Sequence, residues 1–164
     1  MNAHRFMLMT VDNKTGFILA TTHKTKEASE INDQIRRNLA LIQDQFGRTV
    51  KEMRMDQGTE FTNQSLADLL DHKGIIRKFT TTQNHAGNTK AERAIRTTIT
   101  DVRTLLLQTK MPLRFWKYAI KAAKDVRNFT YQPRITTAPI KLLSINSVKI
   151  YLRSFLPFGT PAVV

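Results

Sequence analysis

The chain has no cysteine, which excludes disulfides and thiolate metal sites. Its four histidines, His4, His23, His72 and His85, are scattered without ligand spacing, so a histidine-built zinc site is not expected either. No apolar run approaches the ~18 residues of a membrane span. Met1-Asn-Ala-His-Arg leads directly into strand-like residues, with no sign of a signal or transit peptide. Acids are scarce: 13 Asp and Glu stand against 26 Lys and Arg, for a net charge of +13. From these absences we expect a soluble protein of a reducing compartment, with no membrane partner.

The 164 residues suffice for one ordinary domain with its own core, and 41% hydrophobic content is globular rather than disordered. The cationic excess favours a polyanionic partner. It is concentrated late: from Val102 to Val164 there are eleven Lys and Arg against one acid, Asp125, a net of +10.

Patterning predicts an α/β domain with a mixed sheet. Arg5 to Val11 and Gly16 to Thr22 read as strands joined by the turn residues Asp12-Asn13-Lys14-Thr15-Gly16, a hairpin. Ala28, Ile31, Ile35, Leu39, Ile42 and Phe46 recur at helical spacing, and Gly47 stops that helix. A short strand from Val50 to Met55, a helix from Thr62 to His72 and a strand from Ile75 to Thr80 follow. Thr81 to Gly87 is polar and aperiodic, hence a loop. A helix is expected from about Thr89 to Gln108, and another begins near Pro112 with Phe115, Trp116, Ala119, Ile120, Ala123 and Val126 inward. Past Tyr131, four prolines punctuate an irregular basic tail.

Two acids stand at positions where such folds place chemistry. Asp56 follows the Val50–Met55 strand in M-D-Q-G-T-E-F, and Glu92 lies in the first turn of a helix, with 35 residues between them. Carboxylates brought from different elements make a hard-oxygen site suited to Mg²⁺, and paired ions of that kind support phosphodiester chemistry. The plainer alternatives are a simple turn at Asp56 and an i,i+4 ion pair between Glu92 and Arg96.

The wording around both acids goes further. D-Q-G-T-E-F, then K-G-I, a strand ending T-T-T, A-E-R-A-I-R-T, F-W-K-Y-A-I-K-A-A-K-D-V-R-N and the terminal L-P-F-G-T-P-A-V-V together resemble the integrase core of LTR retrotransposons, with the copia-type elements of yeasts as the nearest likeness. The resemblance implies a ribonuclease H-like fold, a polynucleotidyl transferase of DNA integration, Mg²⁺ or Mn²⁺ as cofactor, and DNA as substrate. It makes Asp56 and Glu92 the second and third acids of an Asp-Asp-Glu triad, both catalytic and metal-binding. The family's first Asp sits one strand earlier than any strand found here, in a phrase like D-x-x-G-P, and no such phrase occurs in these residues. Asp12 therefore has two readings, as a substitute first acid or as a hairpin-turn residue.

On this reading residues 1–130 are a partial catalytic core lacking the family's first strand and its upstream His/Cys zinc module, and 131–164 are a truncated basic C-terminal extension. Strand transfer would be weakened or lost. Arg96 and Arg103 share a helical stripe with Glu92, and Lys117, Lys121 and Lys124 form a basic face on the next helix; these five are the expected nucleic-acid contacts. Gln83, Asn84 and His85 are further loop candidates for a DNA end. Partners would be DNA and other copies of the chain, in the nucleus or cytoplasm. The alternatives are a non-catalytic basic module for nucleic-acid binding or assembly, and the product of a decayed element.

Overall fold

The computed structural model describes residues 4–80, 89–144 and 156–161. Strands β1 (Phe6–Val11) and β2 (Ile18–His23) form an antiparallel ribbon in the register Phe6↔His23 to Val11↔Ile18. Helix α1 (Ala28–Phe46) follows and ends at Gly47, whose φ of 61° is the left-handed conformation that closes a helix and suits glycine.

Strand β3 (Glu52–Met55), helix α2 (Gln64–His72) and strand β4 (Ile76–Phe79) make a crossover unit, so β3 and β4 pair in parallel from Glu52↔Ile76 to Met55↔Phe79. Helix α3 (Thr89–Gln108) leads through a 3₁₀ turn, Leu113–Phe115, to α4 (Trp116–Phe129). A second 3₁₀ turn, Pro133–Ile135, precedes the short α5 (Pro139–Leu143). The expected loop 81–87 and most of the tail beyond 144 lie outside the described residues.

Alternation along β1 sets the layers. Leu8 joins Ile31, Ile35 and Leu39 of α1, Met55 of β3, and Leu66 and Leu70 of α2 in one buried cluster. Met7, pointing the other way, packs with Ala20 of β2 against Val102, Leu106, Ala119, Ile120 and Ala123 of α3 and α4. A third cluster seals the end of the ribbon, where Phe17 meets Phe46 edge-on at 5.3 Å and packs with Ala138, Ile140 and Leu143. The tail up to residue 144, expected to be irregular, is therefore part of the core, because Ile140 and Leu143 cover apolar surface that the ribbon leaves open.

Two details depart from the patterning. Val126, expected inward, is 54% exposed. The buried arc at the end of α4 runs instead through Ala123 to Asn128, whose amide engages β2. The four strands also stand as two separate ribbons, and among the described residues no strand joins β1–β2 to β3–β4.

Candidate active site and nucleic-acid interface

Asp56 stands where β3 ends. The last carbonyl of the strand, on Met55, accepts from the N–H and the hydroxyl of Thr80 at 2.9 and 3.0 Å. Beyond it the chain turns: Asp56 Oδ1 accepts from the Gly58 N–H at 3.1 Å, and the Gly58 carbonyl accepts from Phe61 and Thr62. Asn63 then caps α2 by accepting from the Leu66 N–H, and its amide donates to the Glu60 carbonyl at 2.8 Å. The buried Asn32 of α1 donates to Asn63 Oδ1 at 2.8 Å, fastening the loop to the core helix.

Gly58 matters here for space. A Cβ on it would lie 2.7 Å from Glu60 Oε2 and 3.0 Å from Asp56 Oδ1. The two carboxylates thus converge over one glycine, with Lys26 Nζ 3.8 Å from the other Glu60 oxygen. Glu60 was missed in the sequence, although it stands in plain view in D-Q-G-T-E-F; nothing in that spacing shows that its side chain folds back toward Asp56.

Glu92 lies in the first turn of α3, where a carboxylate is favoured by the helix dipole, and it is exposed. Among the described residues it has no ion-pair partner, so the plainer alternative, a Glu92–Arg96 pair, does not form. The start of α3 is tied to the β1–β2 turn by Lys90, whose ammonium donates to the Asn13 carbonyl.

Asp12 occupies that same turn. Its Oδ2 accepts from the Thr15 N–H at 2.7 Å and the Thr15 hydroxyl at 2.6 Å, while its backbone bonds Phe17 and Gly16. Of the two readings of Asp12, the hairpin-turn residue is the one the geometry bears out.

The donor set can be compared with a divalent cation. Asp56 and Glu92 are exposed carboxylates without ion-pair partners among the described residues. No group of three or more His, Cys, Asp or Glu placed to hold a metal occurs among the described residues. Asp56 and Glu60 are brought together over Gly58, and two hard-oxygen donors suit a weakly held, largely hydrated ion but do not fit a two-ion centre.

The cations fall on two helices. On α3, Arg96 and Arg103 are exposed on the stripe of Glu92, with Ile99 between them at 38% exposure. On α4, Lys121 is exposed, Lys117 lies over the Tyr118 ring at 4.7 Å, and Lys124 pairs with Asp125 at 3.0 Å. Among the described residues, Lys124 is thus the one of the three α4 lysines with a carboxylate partner. Gln83, Asn84 and His85 lie outside the described residues.

The β1–β2 ribbon layered between α1 and the α3–α4 pair, the β3–α2–β4 unit beside α1, an acid at the end of β3 and another opening α3 make an α/β domain of the ribonuclease H-like class. Two solved structures share this fold. A chain of the simian T-cell lymphotropic virus intasome, solved in complex with PP2A regulatory subunit B56 gamma, matches with a TM-score of 0.71 at 17% identity over 84% of this chain and 47% of that one. The catalytic core domain of BIV integrase matches with a TM-score of 0.66 at 20% identity over 84% of each chain. The present chain thus spans about half the length of the first of these relatives. The family model for the integrase core domain matches residues 3–85, just over half the chain. The chain belongs to the integrase core domain family.

Proposed function

We propose that the protein is the DNA-binding integrase core of a copia-type retrotransposon, of the kind found in yeasts, with Asp56 and Glu92 as the second and third acids of its triad. Its strand-transfer activity is weak or absent in this form. The observation that carries the reading is the engagement of Asp12 in its hairpin turn, with no group of three or more His, Cys, Asp or Glu placed to hold a metal among the described residues.

A divalent ion, Mg²⁺ or Mn²⁺, would supply an activated water or hydroxyl and stabilise a leaving oxygen in phosphodiester cleavage. This chain's own contribution is more limited. The Gly58 N–H orients Asp56, the first turn of α3 presents Glu92, and Arg96, Arg103, Lys117, Lys121 and Lys124 meet DNA phosphates. Residues 131–164 extend the core as a basic segment. Other integrase copies are the natural protein partners, and residence in the nucleus or cytoplasm follows from this reading.

The test is a plasmid-nicking assay in Mg²⁺ and in Mn²⁺, with Asp56→Ala and Glu92→Ala beside the parent chain. Little or no nicking by the parent is expected. Robust nicking abolished by both substitutions would mean that the two acids suffice.

A second reading is a non-catalytic basic module that binds nucleic acid or assembles with intact copies. The lack of a three-acid group among the described residues favours it. It requires salt-dependent duplex binding with no metal-dependent cleavage at any concentration of ion. A cooperative thermal transition of the purified chain separates both readings from the product of a decayed element.

A further inference from the structure

The outer face of α4 carries a feature that phosphate binding alone does not require. Its inner face is occupied: Ala119, Ile120 and Ala123 are buried, and Asn128 holds β2. On the outer side Tyr118 is 52% exposed, one helical turn after the exposed Arg114 and three residues before the exposed Lys121. The Lys117 ammonium stands 4.7 Å from the centre of the Tyr118 ring, and the Arg114 guanidinium stands 5.4 Å from the Phe115 ring.

Phe115 backs the tyrosine. The two rings are 6.2 Å apart and tilted by 40°, and Phe115 packs against the buried cluster of Val102, Leu106 and Ala119. An aromatic ring is therefore held half in solvent by a second ring rooted in the core, with Lys117 over it, Arg114 over the second ring and the exposed Lys121 three residues further along the helix. No acid lies among Arg114, Lys117, Tyr118 and Lys121, and the next one along the helix, Asp125, pairs with Lys124.

We propose that this face is a platform for single-stranded nucleic acid, on which Tyr118 stacks an unpaired base while Arg114, Lys117 and Lys121 take the flanking phosphates. The inference rests on the proposed DNA-binding function and narrows its substrate. Cations alone bind duplex and single strand alike through phosphate, but a base offers its π-face to a side chain only where it is not stacked between neighbours in a duplex. A protein partner fits less well. It would have to be acidic to meet three cations.

The experiment is fluorescence anisotropy of the full chain with a labelled oligothymidylate and with a duplex of equal length, each over a series of salt concentrations. Tyr118→Ala is expected to weaken oligothymidylate binding about 5- to 150-fold, the range of one stacked base, with the salt slope unchanged. Duplex binding should change less than about twofold, and Tyr118→Phe should bind as the parent does, since the ring is kept. Lys121→Ala should lower the single-strand salt slope by about 0.7, the loss of one phosphate contact. A thermal melt of each variant guards against unfolding.

The proposal is overturned if Tyr118→Ala leaves single-strand affinity intact, or weakens single strand and duplex equally in a folded protein. Duplex binding by the parent together with either result leaves the DNA-binding reading standing and removes only the platform. A parent chain that binds neither strand form overturns both.

Discussion

The Asn128 amide holds a residue 110 positions away by both of its backbone groups. Its Oδ1 accepts from the Ile18 N–H at 2.8 Å and its Nδ2 donates to the Ile18 carbonyl at 2.7 Å, all of it buried. This side chain takes the place of a neighbouring strand on the outer edge of β2 and thereby locks α4 onto the ribbon. Asn128→Leu keeps the volume but leaves a buried N–H and C=O unmade. A loss of about 2–5 kcal/mol is expected, read from urea unfolding, and unchanged stability would show that the two bonds contribute nothing net.

The opposite sign is expected at Thr98. Its hydroxyl is fully buried in α3 and has no hydrogen-bond partner among the described residues, unlike those of Thr97, Thr100 and Thr104, which bond back to carbonyls one turn earlier. Thr98→Val removes an unsatisfied group at nearly constant shape. It should raise stability by about 1 kcal/mol, visible as a higher melting temperature.

Asn63 serves three groups at once: the Leu66 N–H, the Asn32 amide and the Glu60 carbonyl. Asn63→Ala should therefore cost about 1–3 kcal/mol, more than an ordinary cap. Asn63→Asp keeps the two acceptor roles and should recover most of it. Chemical denaturation of the pair checks the ordering.

Glu30 sets an acid limb to stability. The Thr25 hydroxyl, and after it His23, hold its carboxyl below the ordinary 4.5. A carboxyl pKa depressed by folding stabilises the native state above the unfolded value, and that contribution is lost as pH falls through the folded one. Glu30→Gln should be less stable than the parent above pH 4.5 and should converge on it in more acid solution. Melting curves across pH 3–7 carry the comparison, and parallel curves would remove Glu30 from the account.

Asp56 and Glu92 are exposed and make no ion pair among the described residues, and only the Gly58 hydrogen bond and the helix dipole engage them, so alanine at either should cost no more than about 1 kcal/mol of stability. Thermal melts of the two variants check this. A larger loss at either position would give that acid a structural role and complicate any reading of the nicking assay.

Much of the fold was legible because it depends on local period. Helix α1 with its Gly47 stop, the hairpin around Asp12 and the β3–α2–β4 unit all follow from apolar spacing and turn chemistry within a few residues. The helix α5 and its place in the core were not legible, since Ile140 and Leu143 become inward only once Phe17 and Phe46 are there to receive them. Val126 misled for a related reason, because the side of α4 that faces the core at its end is the one carrying the long-range polar contact of Asn128.

The chain by itself determined the charge, the absence of thiol chemistry, the element order and the two acids with 35 residues between them, because each is a matter of composition or of neighbours along the chain. Tertiary structure decided three things that spacing does not carry. It locked α4 onto β2 through the buried Asn128 amide, folded Glu60 back beside Asp56 over Gly58, and stood Tyr118 half in solvent against a Phe115 that packs into the core. Each depends on where a side chain points, and that is set by what packs around it in space.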